Sequence, residues 1–220
     1  MPSWSFLFDF DGTISPADMG HVIFDAFADP AWREIDEEWI RGDITTSERA
    51  RRQFELVCTD EQALLNLVDK HEVDSGFGPL VADLRARGVE VQVVSDGFDF
   101  YVGRMLAKAG LSDVPFQSNH LEFLNGAIAL EFPHQRPGQD PRGGWKGEVV
   151  RSVATTGRRV AYAGDGMSDL LAARAADLLF ARDRLAICCD ADDIPYHSFS
   201  CMENIHRWVR RNDLGHPRVG

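Results

Sequence analysis

The feature that most constrains the fold of this chain is the alternation of strand-like and helix-like segments after residue 79. Residues 89–94 and 160–163 are short runs rich in β-branched or apolar side chains, and each is followed by a segment with helical spacing. Residues 4–8 form a similar apolar run, and residues 121–132 predict a β-hairpin around Asn125-Gly126. Strands that alternate with helices favour a mostly parallel α/β sheet.

The region between the first strand and residue 79 has only helical patterns. Ser15-Pro16 is typical of a helix start, and Trp32, Ile35 and Trp39 recur at helical spacing. We therefore expect an α/β core that is interrupted, directly after its first strand, by a small helical insertion. The predicted boundaries are 1–14 and 79–220 for the core and 15–78 for the insertion.

Acidic and hydroxyl side chains follow three of the predicted strands. Asp9 and Asp11 follow the first strand, Ser95 follows the strand at 89–94, and Asp165 follows the strand at 160–163. The carboxyl ends of parallel strands meet at one edge of a sheet, which is where such folds bind ligands. Two close carboxylates repel each other unless a divalent cation lies beside them or one of them holds a proton. An ordinary solvated turn would also explain the pair.

Two further polar residues lie at predicted helix starts. Lys146 follows Gly143-Gly144, and a lysine in this place can bring a positive charge to a phosphoryl group, although most single lysines are only surface residues. Asp169 lies at the start of an alanine-rich helix, where the helix dipole alone would explain a carboxylate. Together these residues offer a nucleophile, an acid or base, a cation site and phosphate donors, which are the parts of a phosphoryl-transfer site.

With these motifs in order, the sequence resembles the haloacid dehalogenase-like (HAD) phosphatases. The resemblance rests on Asp-Phe-Asp-Gly-Thr at 9–13, Ser95, Lys146 and Gly-Asp-Gly-Met-Ser-Asp at 164–169, and it covers nearly the whole chain. It implies a Rossmann-like, HAD-like α/β core. The helical insertion is similar to the type-1 cap of the phosphoserine-phosphatase branch of this family.

The resemblance also implies roles for the residues and a Mg²⁺ cofactor. Asp9 would be the nucleophile, and Asp11 would protonate the leaving alkoxide and then activate water. Magnesium would be bound by Asp9, by the backbone carbonyl of Asp11 and by Asp165, and Asp169 would support the metal site. The groups implied to hold the phosphoryl group are Ser95, the backbone amide of Gly97 and Lys146.

Similarities within the family point to two substrates. Residues 95–101 and 180–183 are similar to the methionine-salvage branch, whose members dephosphorylate 2-hydroxy-3-keto-5-methylthiopentenyl-1-phosphate. Asp18 and Arg51 are instead similar in position to substrate-binding residues of the phosphoserine-phosphatase branch. Each also has an ordinary explanation, because Asp18 lies near a helix start and Arg51 lies beside Arg49 and Arg52 on a solvated helix face.

Composition limits the partners of this chain. A net charge of −12 and a pI of about 4.9 disfavour nucleic acid as a partner. The family resemblance implies a small phosphorylated metabolite as the ligand. No apolar run approaches the roughly 20 residues of a membrane span, and the N-terminus does not resemble a signal peptide, which predicts a cytoplasmic protein with no membrane partner. The four cysteines are expected to be free thiols.

Two other classes of protein were weighed against a phosphatase. A phospho-accepting receiver module would be shorter and would lack both the helical insertion and the motif at 164–169. A non-catalytic relative that only binds a phosphorylated ligand would be expected to have lost Asp9 or Asp11, and both are present. The sequence makes no prediction about oligomeric state.

Overall fold

The computed structural model describes residues 3–136, 144–212 and 214 of the 220-residue chain. It shows a mostly parallel sheet with helices, as the alternating pattern predicts. The strands are β1 (Trp4–Phe8), β2 (Glu90–Phe98), β3 (Phe116–Leu124), β4 (Ala127–Glu131), β5 (Arg159–Gly164), β6 (Leu178–Ala181) and β7 (His197–Ser198). The helices are α1 (Met19–Phe27), α2 (Trp32–Arg41), α3 (Thr46–Glu55), α4 (Glu61–Val68), α5 (Phe77–Ala86), α6 (Asp99–Lys108), α7 (Gly144–Ala154), α8 (Leu170–Ala175), α9 (Asp183–Ala191) and α10 (Met202–Arg211).

The order of the strands places β1 near the middle of the sheet. The order is β4-β3-β2-β1-β5-β6-β7, and every neighbouring pair is parallel except β3 and β4. β1 therefore has β2 on one side and β5 on the other. The chain adds β2, β3 and β4 on one side of β1, and then adds β5, β6 and β7 on the other side. Such a switch point opens a crevice at the carboxyl ends of the central strands.

The predicted hairpin is confirmed as β3 and β4. Its turn contains Asn125 and Gly126, both with positive φ, which matches the right-handed twist of the two strands. The prediction places its first strand at residue 121, whereas β3 begins at Phe116 because its earlier residues pair in parallel with β2. Helix α9 has no counterpart in the sequence-based prediction.

The first helix after β1 begins later than the sequence suggests. Asp18, not Ser15, is the N-cap of α1, and its carboxylate accepts a hydrogen bond from the backbone amide of His21 at 2.9 Å. The hydroxyl of Ser15 instead donates to the carbonyl of Ala17 at 2.7 Å, within the turn that precedes the helix. A carboxylate at this position satisfies one of the free amides of the first helical turn.

Apolar side chains from the helices after β1 pack into the same buried cluster as the sheet. Phe24 and Phe54 contact each other edge to face with ring centroids 5.1 Å apart, and Phe54 makes the same kind of contact with Phe98 at the end of β2. These contacts hold helices α1 and α3 over the carboxyl ends of the strands. The division at residues 15–78 into core and cap stays a prediction.

Two other predictions concern the loop before α7 and the membrane. The loop expected between residues 134 and 144 lies in part outside the described residues, at 137–143, and Gly144 already belongs to α7. Among the residues that are described, none of the helices combines the length and the apolar character that crossing a membrane would require.

Candidate active site

The register of the sheet brings the acidic motifs together. Phe8, the last residue of β1, pairs with Val93 of β2 and with Ala163 of β5. The next residue is Asp9, whose backbone amide donates to the carbonyl of Ala163 at 2.9 Å. Ser95 and Asp165 lie two residues beyond those paired positions, so both end beside Asp9 at the carboxyl edge of the sheet. This is the convergence that the strand-end positions predict.

Three carboxylates and one lysine form what we call the carboxylate cluster, which consists of Asp9, Asp165, Asp169 and Lys146. One oxygen from each carboxylate lies within 4.8 Å of the other two, a spacing at which the three could hold a metal ion. Lys146 is only 1% exposed, and its ammonium donates to Asp9 and to Asp169 at 2.8 Å each. Oxygen donors of this kind suit a hard divalent cation such as Mg²⁺.

The pKa values of these groups report a crowded and poorly solvated site. Burial raises the pKa of Asp9 well above its usual value, and the charge of Asp169 raises it further, while Lys146 opposes both effects. Burial and the charge of Asp169 likewise raise the pKa of Asp165 to about 7. Burial lowers the pKa of Lys146, but the charges of Asp169 and Asp9 outweigh it, so the net shift is upward. The lysine therefore stays charged, and an added cation would relieve the repulsion among the acids.

Asp169 has more partners than a residue that only complements a helix dipole. One carboxylate oxygen accepts from the backbone amides of Asp165 and Gly166 at 3.1 and 3.0 Å. The other accepts from Lys146 and from the hydroxyl of Tyr162, the latter at 2.7 Å. Asp169 is completely buried, so it fixes the loop that carries Asp165 and the ammonium of Lys146 at the same time.

The side chain of Asp11 does not belong to the carboxylate cluster. One of its oxygens accepts from the backbone amide of Met19 at 2.8 Å, and the other accepts from the hydroxyl of Tyr101 at 2.8 Å. Burial and the charge of Asp18 raise the pKa of Asp11 to about 7. Its carboxylate lies on the wall of the cavity, so it is close to Asp9 in sequence but has separate partners. Metal binding by its backbone carbonyl stays a prediction.

Ser95 and Gly97, the two predicted phosphate donors on β2, are hydrogen-bonded to each other. The amide of Gly97 donates to the hydroxyl of Ser95 at 2.9 Å, and that hydroxyl lies 3.5 Å from Asp11. Gly97 has no room for a side chain, because a Cβ would lie 2.1 Å from the hydroxyl oxygen of Tyr101 and 2.4 Å from Asp11 Oδ2. Gly12 is restricted in a similar way by Asp165, and its φ is +71°.

A cavity of about 310 Å³ joins these strand ends to the helices that follow β1. Its helical side includes what we call the helix wall, formed by His21, Asp36 and Arg49. Asp36 is ion-paired with Arg49 at 2.7 Å and lies 3.8 Å from His21. The hydrogen bond to Asp36 raises the pKa of His21. The guanidinium of Arg49 also stacks over Trp39, 4.4 Å from its ring centre.

The two residues predicted from the phosphoserine-phosphatase branch lie in different places. Asp18 does line the cavity, with its carboxylate bound to the first turn of α1. Arg51 does not: it is exposed, lies over the ring of Phe132 at 4.7 Å and lines a separate groove against β4. The prediction for Arg51 is therefore corrected. Two residues along an α-helix turn the side chain by about 200°, so the arginine that reaches the cavity is Arg49.

Several residues of the site were not singled out in the sequence. Thr13 donates to Asp165 at 2.9 Å. Because Thr13 belongs to the motif at 9–13, the sequence could have identified it as a site residue. Asp96 lies 3.3 Å from Lys146 and accepts from the indole of Trp145 at 2.7 Å, so three carboxylates surround the lysine. Tyr101 and Tyr162 each donate to a carboxylate of the site. Tyr101 belongs to the run 95–101 that is similar to the methionine-salvage branch, whereas no local pattern distinguishes Tyr162 from an ordinary core aromatic residue.

Comparison with known proteins now identifies the family. The model of the haloacid dehalogenase-like hydrolases matches residues 6–174, which is more than half of the chain. The chain is a haloacid dehalogenase-like hydrolase. Named phosphatases are found among both its relatives and its structural neighbours, and this HAD chain is a phosphatase as well.

Among these relatives are the 2-hydroxy-3-keto-5-methylthiopentenyl-1-phosphate phosphatases of Bacillus cereus and Bacillus anthracis. Each is 28% identical to this HAD phosphatase over 201 residues, covering 90% of this chain and 91% of the relative. Among solved structures, a phospho-aspartyl intermediate analogue of phosphoserine phosphatase matches with a TM-score of 0.73 at 20% identity, covering 94% of this chain and 99% of that one. A substrate-bound phosphoserine phosphatase matches with a TM-score of 0.72 at 21% identity, covering 94% and 98%. These structural matches establish the fold.

Proposed function

We propose that this protein is a Mg²⁺-dependent phosphomonoesterase that works through an aspartyl-phosphate on Asp9. The observation that carries the proposal is the carboxylate cluster, in which Asp9, Asp165 and Asp169 could hold a cation while Lys146 contacts Asp9 directly. The residues of this cluster fit Mg²⁺ because they supply carboxylate oxygens, which this hard cation prefers, and because their mutual repulsion would be relieved by a cation. When bound, the cation supplies positive charge beside the phosphoryl oxygens.

The residues of the chain then divide the reaction between them. A carboxylate oxygen of Asp9 attacks phosphorus, the bond from phosphorus to the ester oxygen breaks, and Asp11 gives its proton to that leaving oxygen. Asp11, now a carboxylate, takes a proton from the water that hydrolyses the acyl phosphate. Lys146 offsets charge on the phosphoryl oxygens, and Ser95 and the Gly97 amide lie at the same edge to donate hydrogen bonds.

For the substrate we propose 2-hydroxy-3-keto-5-methylthiopentenyl-1-phosphate. The relatives of that name align with almost the whole chain, and the cavity places His21 and Arg49 opposite the strand ends, where they can donate to the oxygens of a hydroxyketone. Phosphoserine is the second candidate. It is favoured by the structural neighbours and by Asp18, whose carboxylate lines the same cavity and could accept from an ammonium group. A cytoplasmic location stays a prediction.

The experiment for the reaction class uses p-nitrophenyl phosphate, with and without Mg²⁺. We expect hydrolysis that EDTA abolishes and that added Mg²⁺ restores. Asp9→Asn should lose at least about 10⁴-fold in kcat, on the scale seen when other hydrolases lose their nucleophile. Activity that is unchanged in EDTA would contradict the metal role, and near-normal turnover by Asp9→Asn would contradict the covalent intermediate.

The experiment for the substrate compares kcat/KM for the two candidates on the same enzyme preparation. We expect the hydroxyketone phosphate to be preferred by at least about tenfold, the value of one good polar contact. A preference for phosphoserine would reverse the order of the two proposals and leave the proposed reaction class intact.

A further inference from the structure

Tyr101 is a buried tyrosine whose hydroxyl is directed at the carboxylate of Asp11. It lies on the first turn of α6, is 1% exposed, and donates to Asp11 Oδ2 at 2.8 Å. Asp11 Oδ1 accepts from the amide of Met19, also at 2.8 Å. Each oxygen of this carboxylate therefore has its own donor, and two donors on opposite oxygens fix the plane of the group.

The surroundings of the tyrosine hydroxyl are shaped around this contact. Gly97 leaves the space that the hydroxyl fills, since a Cβ there would come within 2.1 Å of that oxygen. The ring of Tyr101 packs against Phe10, which lies between the two aspartates of the motif. The hydroxyl itself reaches the wall of the cavity, so the contact lies beside the place where a substrate would enter.

We propose that Tyr101 is a positioning residue, which holds the Asp11 carboxyl group toward the leaving oxygen and away from the carboxylate cluster. This inference rests on the proposed function. In the reaction written above, the proton of Asp11 moves to the ester oxygen as the phosphorus–oxygen bond breaks. The rate of phosphoryl transfer should therefore depend more strongly on the direction of this carboxyl group when the leaving group is more basic.

Leaving groups differ in this need, which provides the test. A p-nitrophenolate leaves without a proton, whereas an alkoxide must be protonated as it departs. The parameter to measure is kcat/KM, because it reports the transfer of the phosphoryl group to Asp9 and is independent of the later hydrolysis. A series of aryl phosphates of decreasing phenol acidity, extended by an alkyl phosphate, gives the dependence of log(kcat/KM) on leaving-group basicity.

The three tyrosines of the chain provide matched variants, because two of them donate to carboxylates of the site and the third, Tyr196, lies outside the cavity. Tyr101→Phe should lower kcat/KM for the alkyl phosphate about ten- to a hundredfold, the value of one hydrogen bond to a group that becomes charged as its proton leaves. For p-nitrophenyl phosphate the loss should be less than about threefold. Tyr162→Phe removes the donor to Asp169 in the carboxylate cluster and should lower all rates by one common factor. Tyr196→Phe, which lies outside the cavity, should match the wild type.

The outcomes separate positioning from a structural role. Partial unfolding of Tyr101→Phe would lower every rate equally, so a steeper dependence on leaving-group basicity supports the inference even if stability also falls. An equal loss for all substrates, or no loss, would overturn it. If Asp9→Asn abolishes turnover while Tyr101→Phe keeps the wild-type slope, the proposed function stands and this inference fails. If Asp9→Asn remains active, both fail.

Discussion

The carboxylate cluster and the helix wall face each other across one cavity, and they are built in different ways. In the cluster, Asp9 and Asp165 directly follow β1 and β5. The buried side chains of Lys146 and Asp169 each have several hydrogen-bond partners. The helix wall is formed by side chains on the surfaces of three helices. The side chain of His21, one of its members, is 40% exposed. The comparison indicates that strand ends position the carboxylate cluster, whereas the residues proposed to contact the substrate lie on helical faces.

The sharpest test of this comparison is to remove the positive charge from the cluster. Lys146→Met keeps the length of the side chain but leaves Asp9, Asp96 and Asp169 without their shared cation. We expect kcat to fall about 10²- to 10³-fold, the scale reported for the loss of one electrostatic contact to a transition state. Unfolding without metal should also become easier, by about 3 kcal/mol, because buried carboxylates lose a partner. Steady-state kinetics and chemical denaturation measure the two effects.

A second lysine provides the control for the Lys146→Met variant. Lys108, which binds backbone carbonyls at the surface, can be changed to Met in the same way, and that variant should keep the wild-type kcat. A Lys146→Met enzyme with normal turnover would mean that the cluster does not act on the phosphoryl group.

The helix wall can be tested with a matched pair of arginines on α3. Arg49→Met should raise KM about tenfold with little change in kcat, since Arg49 faces the cavity and its guanidinium can bind substrate oxygens. Arg51→Met should change KM less than about twofold, because Arg51 lies over Phe132 in a separate groove. Kinetics on the preferred substrate, with melting temperatures as a check on folding, make the comparison. A larger effect at Arg51 would reverse the correction made from the structure.

The smallest expected effect is a pH-dependent stabilisation of the cluster by Mg²⁺. The pKa values of Asp11 and Asp165 rise to about 7 from an ordinary value of 3.8, so between those two pH values the folded state binds more protons than the unfolded state. The stability of the metal-free protein should therefore fall as pH rises through this window. Mg²⁺ requires the carboxylates in their charged form, so it should stabilise more at high pH.

The measurement is the increase in melting temperature on adding Mg²⁺. We expect an increase of several degrees at about pH 8 and a much smaller one at about pH 5.5, where protons compete with the metal. Asp165→Asn should lose most of the increase at the higher pH. An increase of equal size at both pH values would indicate a metal site that does not involve these carboxylates.

What the sequence could predict follows the same division between sheet and helices. The positions of Asp9 and Asp165 follow from strand ends, because parallel pairing brings equivalent residues to one edge. Ser95 was expected just after its strand, but β2 continues to Phe98 beyond its last pairing with β1 at Val93. Asp169 was predicted as a supporting residue, but its contacts with two backbone amides depend on the folded loop. Tyr101 reaches Asp11 through the packing of α6 against β2 and β3, which depends on the tertiary fold.

Apart from the ends of β2 and β3, the predictions that were wrong concern helices. The start of α1 was placed at Ser15 because serine and proline are common there, but Asp18 makes the capping hydrogen bond. Arg51 was assigned by similarity of position, although the rotation of α3 presents Arg49 to the cavity. Helix α9 was missed because its apolar pattern is weak: Ile187, for example, lies on its outer side and is 69% exposed. In each case a tertiary contact decided what local propensity left open.

The central claim is that Asp9 and Asp165 bind one divalent cation, with Asp169 and Lys146 beside it. The most direct measurement is a crystal structure of the protein with Mn²⁺, in which anomalous scattering locates the ion without reference to the protein atoms. The account predicts a single strong peak in the cavity, within ligand distance of the carboxylates of Asp9 and Asp165. A peak elsewhere, or none at a Mn²⁺ concentration that supports full turnover, would contradict it.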